Sequence, residues 1–313
     1  MVFDLELIRS TLRLATPIAF AGLATMLTIQ AGIVNIAVEG MMLVGAFVAV
    51  VGSYYTGSAI IGVILSMLGS MTLAFIFALF SLKWKAHIII MGIAINIFAN
   101  YLTVYLLRAI FGVAGAFSSP DLKGLEMIKL PVIDNVPILG SLVSGYSILV
   151  YICWILVLLS HIFLYKTKLG IHLRAVGENP AAAEVMGIRC NEMRFFAVMA
   201  SGALAGLGGS YLSLGHLTMF TEGMSAGRGF MGLAATIFGM FTPIGTFLGS
   251  ILFGLFDSIS WRLQGMQIMP VQFLQMLPYA IIVIILMTIS FREKWVRAMT
   301  AKANRAALEK AEE

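Results

Sequence analysis

One carboxylate stands alone in the first part of this chain: between Leu14 and Leu82 the only charged residue is Glu39. An ionised carboxylate at membrane depth costs a few kcal/mol or more unless it meets a partner or a wet cavity. Two roles fit it. It either lines a path for a polar solute, or sits at a helix end tied to a neighbouring span. Asn35 lies one helical turn before it, and Asn96 and Asn100 are also one turn apart. Amides in such surroundings must pair, with a solute or across two helices. Arg228 stands in Gly227-Arg228-Gly229-Phe230, where paired glycines let the backbone turn and approach closely. It reads either as a gate or solute contact at a half-helix start, or as an arginine reaching back to water. Asn35, Glu39, Asn96, Asn100 and Arg228 are thus the predicted substrate-path residues.

Other chemistries are excluded by what is missing. The chain has no Gly-x-x-x-x-Gly-Lys-Ser/Thr phosphate loop, no His-Glu-x-x-His and no Gly-x-Ser-x-Gly. His87, His161, His172 and His216 are scattered without metal-ligand spacing. Cys153 lies in an apolar run and Cys190 in a basic loop, which implies no disulfide framework. No catalytic residue, metal site or bound cofactor is expected.

The elements that must position these residues are membrane spans. Of 313 residues, 60% are hydrophobic and 11% charged, against about a quarter charged in soluble domains. We read residues 1–313 as a single all-α integral membrane domain. The net charge of +5 comes from short Lys/Arg clusters beside apolar runs, a positive-inside pattern rather than a nucleic-acid surface. Spans of about 20 residues are predicted at 12–30, 34–53, 59–81, 88–110, 146–165, 195–215, 229–241, 244–260 and 271–290. The piece at 229–241 is too short to cross upright and reads as a half-helix. Lys83–His87, the loop 166–194 and the tail 292–313 are predicted on the cytoplasmic side, with 111–145 outside. Nine spans put the N-terminus outside; a tenth would put it inside.

The loop 166–194 carries its own signal. Asn179 is a good N-cap, Pro180 suits the first helical position and Gly187 the left-handed stop. A lone helix this short is marginal in water, so something must dock against it. The predicted contact face is Pro180, Ala183, Glu184 and Gly187, with Arg174 and Glu178 fixing the loop through charge-assisted bonds.

Three stretches together resemble the permeases of branched-chain amino-acid/ribose-class ABC importers: Asn35-Ile36-Ala37-Val38-Glu39-Gly40-Met41-Met42, Gly170 through Ala183, and Gly227-Arg228-Gly229-Phe230 with Ile237-Phe238-Gly239. With Gln272-Phe273-Leu274-Gln275-Met276-Leu277-Pro278-Tyr279, the likeness is strongest to simple-sugar and nucleoside permeases served by a basic-membrane-protein-type receptor. The resemblance implies a vitamin-B12-permease-like bundle of about 9–10 transmembrane segments in a bacterial plasma membrane. It implies a cytoplasmic ATP-binding subunit holding ATP-Mg, a second homologous permease chain and an extracytoplasmic solute-binding lipoprotein. Gly170, Arg174, Gly177, Glu178, Asn179, Pro180, Ala183, Glu184 and Gly187 then fall in the ATPase-coupling loop. The implied solute is a nucleoside, with a ribose-like sugar as the alternative. A different class, an ion-coupled secondary transporter using Glu39, would be distinguished by its dependence on an ion gradient.

Overall fold

The computed structural model describes residues 4–128 and 144–265, with isolated positions at 273, 276, 280 and 287. The expected tail 292–313, and all but those positions of the expected span 271–290, lie outside the described residues. The chain divides into two compact units, Met1–Leu255 and Phe256–Glu313; what is described of the second is the C-terminal turns of a helix and the isolated positions.

The helices are α1 Leu5–Gln30, α2 Val38–Thr56, α3 Ala59–Ala78, α4 Ile88–Phe111, α5 Ile148–Lys166, α6 Lys168–Glu178, α7 Pro180–Val185, α8 Cys190–Ser210, α9 Arg228–Phe238 and α10 Pro243–Gly265. α3 and α8 run on into π-helical stretches, Leu79–Lys83 and Tyr211–His216. Among the described residues, seven helices are long and apolar enough to cross a membrane. α9 has 11 residues, about 16 Å at 1.5 Å per residue, and is a half-span.

Small residues set the packing. α1, α2 and α8 form the buried centre, and their glycines bring backbones together as in other membrane bundles. A Cβ on Gly206 would stand 2.7 Å from the Ser66 carbonyl oxygen, so α8 has no room for a side chain there. α4 and α5 are peripheral and present Ile90, Phe98, Tyr101, Tyr105 and Leu158 outward.

Two short antiparallel pairs lie on one side of the bundle: β1 Ala116–Phe117 with β4 Phe220–Thr221, and β2 Met127–Ile128 with β3 Tyr146–Ser147. The loops 83–87 and 166–190 lie at the opposite ends of the same helices. α1 fixes its own direction. A Cβ on Gly177 would collide with the Gln30 carbonyl, so the end of α1 meets the 166–194 side. Near its start, Arg9 donates to the Ser144 carbonyl at 3.1 Å.

The structure differs from the sequence-based expectation at several helix ends, α8 starting at Cys190 rather than 195 and α10 ending at Gly265 rather than 260. α1 starts at Leu5 rather than 12, because Arg9 and Arg13 lie inside the helix. α2 starts at Val38 rather than 34, because the Ala37 N–H donates to Asn35 Oδ1 at 3.0 Å and this turn holds the chain out of helix. α6 replaces an expected loop. It is amphipathic, its first turn is capped by Thr167 Oγ1 accepting from Gly170 N–H, and it buries Leu173 and Val176.

Candidate functional site

The start of α2 lies at membrane depth. Asn35 is 1% exposed and donates to Ser201 Oγ at 3.1 Å. Ser201 is eleven residues into α8, about 16 Å along its axis. Residues 31–37 therefore re-enter the bundle before α2 begins. The first N–H groups of a helix have no intrahelical partner, and at this depth water does not supply one. Ala37, the N-cap of α2, makes no side-chain cap. Asn96 on α4 serves instead: its Oδ1 accepts from Gly40 N–H at 2.8 Å, and its Nδ2 donates to the Ile36 carbonyl at 3.0 Å.

Glu39 repeats the device one step on. Its Oε1 accepts from Gly227 N–H at 2.8 Å and its Oε2 from Gly229 N–H at 2.6 Å. These are the N-cap and second residues of α9, which has no side-chain cap of its own. A carboxylate there also meets the positive end of the α9 dipole. A Cβ on Gly229 would sit 2.6 Å from Glu39 Cα, so only glycine permits the approach. α4 thus caps α2, and α2 caps α9.

Of the predicted path residues, the structure brings Asn35, Glu39, Asn96 and Arg228 to this junction and its edge, and leaves Asn100 on the exposed face of α4. Arg228 curls back on its own turn, donating to the Met224 and Ser225 carbonyls at 3.2 and 3.4 Å. α9 then runs down α1, with Thr236 Oγ1 donating to the Gly22 carbonyl at 2.9 Å. It ends in a turn where Met240 and Phe241 both take positive φ, 50° and 58°. Gln30 Nε2 donates to the Phe241 carbonyl at 2.7 Å and holds that turn against the end of α1.

On the 166–194 side, α7 is capped as its sequence predicts. Asn179 Oδ1 accepts from Ala182 N–H at 3.1 Å, Pro180 is the first helical residue, and Gly187 takes φ +81°. Its orientation corrects the expected contact face. Ala183 points inward, 4% exposed, into a small cluster with Val176 and Cys190. Cys190 Sγ donates to the Pro180 carbonyl at 3.5 Å and closes the same cluster. The helix is therefore not alone; α6 and the start of α8 support it. Its outward residues are Ala181, Ala182, Glu184, Val185 and Met186, with Val185 87% and Met186 81% exposed. The sequence reading missed this apolar pair, whose only signal is two large apolar residues just before the Gly187 stop. The expected charge-assisted bonds of Arg174 and Glu178 to the loop are not among those of the described residues; Arg174 instead lies over the Tyr165 ring, 4.7 Å from the centroid. Gly170 and Gly177 are close-approach points: a Cβ on Gly170 would collide with the Phe163 carbonyl, and Gly177 abuts Gln30 and Gly32. Gln30, Arg174, Gly177, Glu178 and Phe241 line a cleft of about 220 Å³ between this loop and the end of α1.

Residues 7–286 match the family described as branched-chain amino acid transport system / permease component. The nucleoside ABC transporter permease protein NupC of Lactococcus lactis subsp. cremoris is 34% identical, over 87% of this chain and 88% of that protein. The guanosine ABC transporter permease protein NupQ of Bacillus subtilis is 32% identical, over 81% of each. TsgC13 of Haloferax volcanii, a permease named for glucose, is 30% identical over 86% of this chain and 80% of its own. Among solved structures, a transporter described as metal-chelate type, in an inward-facing conformation, has a TM-score of 0.50 at 16% identity, covering 88% of this chain and 84% of that one. This likeness gives the fold: an ABC-transporter permease bundle.

Proposed function

The chain belongs to the branched-chain amino acid transport system permease family, and on that premise we propose that it is the membrane subunit of an ATP-driven nucleoside importer. The observation that carries the solute is the substrates for which the relatives are named. Nucleoside and guanosine permeases match at 34% and 32%, above the glucose permease at 30%. The chain carries no ATPase site of its own; ATP-Mg is held by a cytoplasmic ATP-binding subunit. A second homologous permease chain completes the path, and an extracytoplasmic lipoprotein delivers the solute.

The positive-inside rule assigns the 166–194 side to the cytoplasm, so α7 faces the ATPase. Val185 and Met186 are a compact apolar knob of the kind that fills a partner's groove. The route inward follows the contacts above. Movement of α7 carries α6, Gly177 presses on Gln30, and Gln30 holds the Phe241 turn at the end of α9. The start of α9 is in turn latched to α2 by Glu39. Closure of the ATPases thereby shifts α1 and α9 together and favours one facing of the path over the other, by differential interaction with the two states.

The solute test is ATP-dependent uptake into proteoliposomes holding the assembled importer and its receptor. Labelled guanosine is expected to accumulate and to be competed by other nucleosides. Competition by ribose or glucose alone would move the assignment to the sugar reading.

A further inference from the structure

Three buried polar atoms without a hydrogen-bond partner gather where the outer part of α1 meets β3: Arg9 Nε, Tyr146 OH and Ser147 Oγ. Tyr146 is 1% and Ser147 5% exposed. Arg13, one turn deeper, lies over the Tyr146 ring, 5.8 Å from its centroid. It is eight residues into α1, about 12 Å along the helix, and its guanidinium makes no ion pair among the described residues. The pattern continues inward. A Cβ on Gly215 would touch Ser147 Oγ, which places His216 beside this cluster. Arg228 follows, with its Nε again buried and unpartnered. Arg9 and Arg13 lie near enough to Tyr146, and Arg13 and Arg228 near enough to His216, to act on them electrostatically. Glu39, whose carboxylate bonds the residues on either side of Arg228, is already held by the Gly227 and Gly229 N–H groups.

We propose that Arg9, Arg13, Tyr146, Ser147, His216 and Arg228 form a binding site for a phosphate-type oxyanion. Unpaired cations at membrane depth are costly and call for a counter-charge. The free groups are donors in excess: the Arg13 guanidinium with five N–H bonds, the Nε–H groups of Arg9 and Arg228, and two hydroxyls. They suit a ligand with several acceptor oxygens and formal negative charge, bound by charge-assisted hydrogen bonds. A nucleoside brings no such charge, so the site stands apart from the solute reading and does not depend on it. A phospholipid headgroup and a soluble phosphate share this chemistry.

The test uses the full-length chain purified in its membrane complex. Native mass spectrometry compares retention of phosphatidylglycerol with that of diacylglycerol, which lacks the phosphate. A parallel thermal-unfolding series compares inorganic phosphate with chloride at equal ionic strength. Selective lipid retention identifies a headgroup, and stabilisation by phosphate a soluble ion. Either effect is expected to weaken by about tenfold or more in affinity in Arg13→Gln and to recover in part in Arg13→Lys. Should Arg13→Gln fail to assemble, Ser147→Ala, which removes only one hydroxyl, is expected to weaken the same effect several-fold. Neither effect in the wild-type protein, or equal effects in wild type and variants, overturns the proposal.

Discussion

Glu39 holds two backbone N–H groups that have no other acceptor at that depth, and this fixes what its removal must do. Glu39→Ala orphans both donors, at about 1–3 kcal/mol for each buried unsatisfied group. We expect a lower unfolding temperature of the purified complex, with uptake falling in step with folded yield. Glu39→Gln keeps one acceptor oxygen and should fall between. Loss of uptake at an unchanged unfolding temperature would make Glu39 a solute contact instead. Asn96→Ala should behave like Glu39→Ala, since it leaves Gly40 N–H and the Ile36 carbonyl unpaired. Ser53, at a predicted span end, is fully buried and donates to the Lys123 carbonyl at 2.6 Å, so Ser53→Ala is expected to lower the unfolding temperature as well. The sequence singled out Glu39, Asn35 and Asn96 because polar groups are rare in such runs. Their partners were not legible, because Glu39 bonds backbone 188 and 190 residues away and a backbone N–H leaves no mark on residue type.

The element that separates docking from folding is α7. Its caps were readable because Asn, Pro and Gly act locally. Its facing was not, because six residues make under two turns and carry no readable stripe. α6 was missed for a related reason: its apolar residues were read as part of a polar loop, although Leu173 and Val176 share its buried side. The consequence is practical. Ala183→Glu would drive a carboxylate into the Val176–Cys190 cluster, and we expect it to unfold the loop whether or not an ATPase is bound. Val185→Asp acts on a residue 87% exposed, so we expect an unchanged unfolding temperature of the permease. Solute-stimulated ATPase activity and uptake should nevertheless fall together, by tenfold or more if an apolar anchor is lost, about 1.4 kcal/mol. Normal coupling in Val185→Asp and Met186→Asp would remove α7 from the interface. Gln30→Ala tests the next link. It frees the Phe241 turn while leaving α7 untouched, so the ATPase should stay bound while uptake per ATP hydrolysed declines.

At the scale of the whole molecule, the path of the chain answers what charge counting left open. The acids and arginines near the N-terminus balance too evenly for the positive-inside rule to place it. Packing does so, because the end of α1 abuts Gly177 while Arg9 near its start bonds the Ser144 carbonyl. The start of α1 therefore shares a side with Ser144 and β3, and the re-entrant 31–37 and half-helix α9 explain why counting apolar runs alone gave an ambiguous parity. Cysteine labelling can read this out. Cys153 and Cys190 are both buried, and Cys190 holds the Pro180 carbonyl, so a Cys153→Ala, Cys190→Ser background removes them with least disturbance. In intact cells an impermeant maleimide is expected to label Asp4→Cys and Lys123→Cys, both exposed. Lys85→Cys and Lys168→Cys, also exposed, should label only after permeabilisation. The four sites discriminate because they move as pairs. If all four inverted, the bundle would keep its fold and α7 would face away from the cytoplasm, which would end the ATPase assignment. If Asp4→Cys alone changed sides, α1 could not run from Ser144 to Gly177, and the latch between Glu39 and α9 would lose the helix it packs against.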